Sequence, residues 1–159
     1  MMRNHRKPSA AQRGMTLLEL IIATSILLIL ATAALPVNRL SIKRQKEFEL
    51  REALREMRSA IDRYKDASDK NLIQVELGTE GYPKDLDVLV NGVELATAKE
   101  RRVRFLRRVP VDPMTGRTDW GMRSVQDDPK SGSWGGQNIF DVYSRSSGTA
   151  IDGSRYADW

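Results

Sequence analysis

Residues 12–36 read QRGMTLLELIIATSILLILATAALP. From Met15 to Leu35 the run holds a single charge, Glu19, close to its start. At about 1.5 Å per helical residue, this stretch is long enough for a hydrocarbon core of roughly 30 Å. Arg3, Arg6, Lys7 and Arg13 come before it. That asymmetry predicts a cytoplasmic N-terminal side and an outward-facing chain after residue 36. A cleavable export signal is the competing reading, because ATAALP at 31–36 offers a small-residue site. Against it, the apolar stretch exceeds the roughly 7–15 residues of such signals and runs on into a helical pattern.

The whole chain has 159 residues, enough for one modest domain and an anchor. Its mean hydropathy is −0.47, so outside the apolar run it is built to face water. There are 26 lysines and arginines against 21 acidic residues. Setting aside the four basic residues before the run leaves near neutrality, so the basicity belongs mostly to the leader. No nucleic-acid partner is expected. The chain has no cysteine, and its only histidine, His5, precedes the run. Disulfides, cysteine-ligated metals and histidine-based catalytic triads are therefore excluded downstream. Asp127-Asp128 precedes a proline without a convergent partner and reads as a loop. The chain is not expected to be an enzyme.

Beyond Pro36 the pattern stays helical to about residue 70. Leu50, Leu54, Met57, Ile61 and Tyr64 recur at steps of four and three. They draw one apolar stripe, with Ala53, Ala60 and Ala67 beside it. Such a stripe serves either a coiled-coil partner or docking on the chain's own sheet, and docking is the preferred reading. Lys43/Glu47, Glu47/Arg51 and Arg58/Asp62 stand four apart and are expected to pair along the helix. NRLSIKRQKEFELR at 38–51 lacks a clean stripe and reads as a charged stalk or a surface for neighbours. Asp85 to Val90 suits a short helix closed by Asn91-Gly92. ERRVRFLRRV at 100–109 reads as a solvated helix face followed by a basic loop. Its arginines alternatively contact acidic surfaces of neighbouring subunits. DWGMRSVQ and NIFDVYSR read as two strands flanking a loop.

Residues 13–36, RGMTLLELIIATSILLILATAALP, resemble the leader and first helix of type IV pilins and type II secretion pseudopilins. The resemblance implies cleavage by prepilin peptidase between Gly14 and Met15, and N-methylation of Met15. It implies that Glu19 pairs, during assembly, with the Met15 amine of a neighbouring subunit, and that Pro36 bends the helix. Physical chemistry is compatible with this, since a carboxylate in lipid costs several kcal/mol unless paired or near the interface. Snorkelling of Glu19 to the headgroups is the simpler alternative. YP at 82–83 with the leucines after it, DPMTG at 112–116 and FDVYS at 140–144 are similar to blocks of the G-type, major pseudopilin. Met114 stands where that family usually has tryptophan.

The expected fold is α+β and pilin-like, a long N-terminal helix packed on a small antiparallel sheet. The expected organisation is a cytoplasmic leader at 1–14, a transmembrane or filament-core helix at 15–35, its continuation at 36–70, and a periplasmic head at 71–159. The implied function is a subunit of the periplasmic pseudopilus of a type II secretion system. A type IV pilus subunit is the near alternative, and a membrane-tethered enzyme or binding domain a more distant one. The implied partners are copies of itself, prepilin peptidase, minor pseudopilins, the inner-membrane assembly platform and membrane lipid. The resemblance also implies calcium in the tail, held by Asp152 and Asp158 with carbonyls and Ser144 or Ser147. An Asp152-Gly153 turn and an arginine-paired Asp158 are the alternative.

Overall fold

The computed structural model describes residues 15–129 and 131–159, with the side chains of 33–39 and 99 left aside. Pro36 and its implied bend fall among the latter. The chain is α+β. Helix α1 is Leu17–Asp69, α2 is Leu86–Asn91, and the strands are β1 Val93–Leu95, β2 Ala98–Val103, β3 Gly121–Arg123 and β4 Asp141–Tyr143. A short 3-10 turn, Tyr156–Asp158, closes the tail. Two units cluster separately, Met1–Ser41 and Ile42–Trp159.

In the first unit the described part of α1 is apolar on every side. Leu17, Ile21, Leu28 and Ile29 all expose more than half of their surface. Its few hydroxyls are satisfied within the helix. Thr24 Oγ1 donates to Leu20 O at 2.8 Å, Ser25 Oγ to Ile21 O at 2.7 Å and Thr32 Oγ1 to Ile29 O at 2.8 Å. A helix that is hydrophobic all round calls for an apolar environment.

The second unit has a core built on the predicted stripe. Leu50, Leu54, Met57, Ile61 and Tyr64 are buried, with Ala53 and Ala60. They meet Leu89, Leu106, Trp120, Ile139, Val142 and Tyr156. The stripe therefore docks on the chain's own head. Fully burying one such aliphatic side chain contributes about 1.5–3 kcal/mol.

The sheet is two separate ribbons. In one, β1 pairs antiparallel with β2, Val93 opposite Val103, with a register shift between Glu94 and Leu95. Ile73 bridges to Leu95 on the other edge of β1. In the other, β3 pairs antiparallel with β4, Gly121 opposite Tyr143 and Arg123 opposite Asp141. Gly121 is required there, because a Cβ would sit 2.3 Å from the Tyr143 ring. Helix α2 starts where expected, with Asp85 accepting from the Val88 N–H at 2.8 Å, and ends at Gly92, whose φ is 80°.

Two expectations need correction. Residues 98–103 form strand β2, not a helix face. Antiparallel pairing with β1 outweighs local propensity there. The helix ion pairs also differ. Arg58 turns to Asp141 at 2.7 Å, and Glu47 accepts from Ile151 N–H and the Tyr156 hydroxyl. Tertiary partners that are partly buried outcompete solvated neighbours one turn away. Pairs one turn apart do form elsewhere on α1, at Lys65–Asp69 and Lys70–Asp66.

Candidate processing and assembly site

Gly14 and the rest of the leader lie outside the described residues. Met15 is exposed immediately before the helix. Thr16 caps that helix. Its Oγ1 accepts from the Glu19 N–H at 3.2 Å, and its carbonyl from Leu20 N–H at 3.1 Å. Thr16-x-x-Glu19 has the spacing of a capping box, a signal already present in the sequence. Glu19 thereby stands in the first turn, where the helix dipole favours a carboxylate. The segment thus places an exposed methionine, a hydroxyl cap and an acid within five positions.

Among the described residues no helix is long and apolar enough to cross a membrane. The expected span reaches residue 35, and side chains 33–35 are among those left aside.

The tail folds onto α1 within the second unit. Glu47 Oε1 accepts from the Ile151 N–H at 2.8 Å and the Tyr156 hydroxyl at 3.0 Å. Burial, with Glu47 alongside, pushes the Tyr156 hydroxyl up to about 12. The Arg51 guanidinium lies 4.3 Å from the Trp159 ring centre, and Tyr156 meets that ring edge-on. Arg58 donates to both Asp141 oxygens, to Val142 O at 3.1 Å and to Trp159 O at 2.8 Å. Arg123, stacked 4.1 Å over the Tyr143 ring, reaches Asp141 from the other side at 3.4 Å. No local pattern in the sequence marks this network, whose helix and tail partners lie 83 to 109 residues apart.

The residues proposed for calcium are committed elsewhere. Asp152 Oδ1 accepts from the Ser154 hydroxyl at 2.6 Å and its N–H at 2.9 Å, and Arg51 approaches Oδ2 at 3.9 Å. Those contacts, the Ser154 hydroxyl first, hold its carboxyl below the usual range. Arg155 forks onto both oxygens of Asp158 at 2.9 Å. Ser144 is buried and donates to Asp112 at 2.7 Å. A hard cation wants several converging oxygens. Among the described residues no group of three acidic or histidine side chains is placed to hold a metal ion. As arranged, Asp152 closes a turn with Ser154 and Asp158 pairs with Arg155. Asp127 is likewise a loop organiser. It accepts from the Ser124 and Gly135 N–H groups, which lower its carboxyl.

The comparison that bears on function concerns the N-terminus. Residues 9–35 match the prokaryotic N-terminal methylation motif. That motif marks the leader of structural, pilin-like proteins, and implies processing by prepilin peptidase and assembly with like subunits. It does not distinguish a secretion pseudopilin from a pilus subunit. No curated protein and no solved structure matches the chain.

Proposed function

We propose that this chain is a pseudopilin, a subunit that polymerises into the periplasmic pseudopilus of a type II secretion system. The observation that supports this most is the methylation motif at 9–35, which overlaps α1, the helix whose later turns carry the α+β head. In this reading prepilin peptidase cuts between Gly14 and Met15, and Met15 is methylated. Residues 15–35 stay behind as a single inner-membrane span, with the head in the periplasm. During assembly the helix leaves lipid for a bundle of like helices. There Glu19 pairs with the Met15 amine of a neighbour, because a charge stranded between packed helices is strongly destabilising. The assembly platform and minor pseudopilins are the remaining partners.

A type IV pilus subunit shares the same leader. The head blocks DPMTG and FDVYS, and the absence of cysteine for a C-terminal disulfide, favour the pseudopilus. The decisive experiment is intact-mass measurement after co-expression with the peptidase. Loss of residues 1–14 and gain of one methyl group is expected. An uncut chain, or one cut near Ala34, overturns the reading. Deletion of the gene followed by export and pilus assays then separates the two filaments.

A further inference from the structure

Asn91-Gly92 closes α2 and joins it to β1, and neither the leader nor the tail uses it. It is the only Asn-Gly pair in the sequence, and the pair is chemically labile. The backbone nitrogen after an asparagine attacks the side-chain amide carbon, and glycine, with no Cβ, hinders that nitrogen least. The bond from Gly92 N to Asn91 Cγ forms. The Asn91 NH2 group leaves with the Gly92 amide proton as ammonia, and a five-membered imide results. Water then opens the ring at either carbonyl. One opening gives aspartate. The other gives isoaspartate, whose main chain runs through the side-chain carbon and is one methylene longer. Asn71 and Asn138, the other asparagines of the head, precede Leu72 and Ile139, whose side chains crowd the nitrogen.

The fold presents the amide and withholds the attack. The Asn91 side chain is exposed, and among the described residues no hydrogen bond holds it. Gly92 is buried, and its N–H donates to Val88 O at 2.9 Å. Asn91 is itself helical, and a helical ψ turns Cγ away from the next nitrogen. Attack therefore requires the last turn of α2 to open and release Val88 O. We propose that Asn91 is a self-modification site, shielded by the fold, that permanently marks chains in which this corner has opened. The products fit the corner poorly. A Cβ on Gly92 would stand 2.7 Å from Val103 O, so the main chain is closely packed there and an added methylene displaces it. A carboxylate at 91 also meets the negative end of the helix dipole and Asp87 one turn back. The next residue, Val93, makes the first pair of the ribbon with Val103, so the damage reaches β1 and β2. The site goes beyond filament assembly and does not depend on it.

The test incubates the full-length chain in detergent micelles at mildly alkaline pH, with and without guanidinium chloride, and then digests it with trypsin. The fragment 85–99 holds Asn91 and no other asparagine or glutamine, so an amide-to-acid mass gain in it reports this site alone. In denaturant that gain should outpace the one in fragments holding Asn71 or Asn138. The fragment should also separate into aspartate and isoaspartate forms. No gain there overturns the site. In the folded chain the gain should be at least about tenfold slower, since it waits on local opening. Equal rates in the two conditions overturn the shield. Asp85→Ala removes the cap at the other end of this short helix and should speed the folded reaction about fivefold, the scale of losing an N-cap. An unchanged rate overturns opening of α2 as the admitting step. Asn91→Ser should abolish the gain, and a gain that persists overturns the assignment. Chains bearing isoaspartate at 91 should unfold at lower denaturant than unmodified ones, and an equal midpoint overturns the damage to the ribbon.

Discussion

Arg58 joins three parts of the second unit that lie far apart in the chain, and its removal gives a sharp test of that account. Its guanidinium donates to Asp141, to Val142 O and to Trp159 O. Hydrogen bonds to charged groups contribute about 1.5–3 kcal/mol when shielded, whereas exposed ion pairs contribute about 0–1 kcal/mol. Arg58 is 39 % exposed and Asp141 25 %, so the first range must be discounted. Asp141 also keeps Arg123 when Arg58 is removed, so no carboxylate is stranded. Arg58→Ala should therefore cost about 1–1.5 kcal/mol, between the two ranges. All three tryptophans, 120, 134 and 159, lie in this unit, so urea unfolding of the full chain in micelles can be followed by their fluorescence. The midpoint should fall by about 1 M urea. Arg55→Ala is the control, since Arg55 is 75 % exposed and its ion pair among the described residues is with Glu52, one turn away. Its midpoint should hardly move. Equal effects of the two substitutions would refute the view that Arg58 staples helix, strand and tail.

Other outcomes follow from the same structure. Gly121→Ala drives a methyl into the Tyr143 ring and should cost about 1–3 kcal/mol through overpacking, read by the same urea titration. Tyr156 keeps its proton in the fold up to about pH 12 and loses it near pH 10 when unfolded. Its contribution is therefore complete below pH 10 and lost between pH 10 and 12. Tyr156→Phe should flatten the fall in stability across that window. Millimolar calcium should leave the urea midpoint unchanged, because Asp152 and Asp158 are held by Ser154 and Arg155. A rise would show that the tail rearranges around the ion. Glu19→Gln should leave leader cleavage intact and abolish sedimentable filaments. Normal filaments would remove the assembly role given to that carboxylate.

Legibility in the sequence followed how local the deciding interaction was. The stripe from Leu50 to Tyr64, the caps Asp85 and Gly92, and the pair β3 and β4 each rest on spacing within a dozen residues or on turn residues. The ribbon of β1 and β2 escaped notice because Lys99, Glu100, Arg101 and Arg102 lack the alternation of a half-buried strand. An edge strand guarded by charge does not need it. The partners of Arg58 and Glu47 escaped for another reason. Each helix residue had an opposite charge four positions away, and only the fold brings the stronger partners from the far end of the chain. At the leader junction the Thr16-x-x-Glu19 spacing is a local signal of the same kind.

The fold-back of the tail onto α1 orders events in time. Glu47, Arg51 and Arg58 emerge about a hundred residues before Ile151, Tyr156 and Trp159, the partners that complete their contacts. Until then that side of the helix is a row of unmet charges and bare apolar groove. The closing contact spans about a hundred residues, the kind of ring that forms late and slowly. The helix surface is thus finished only once residues 151–159 are in place, and a chain truncated before Tyr156 presents a different α1 to every neighbour it meets.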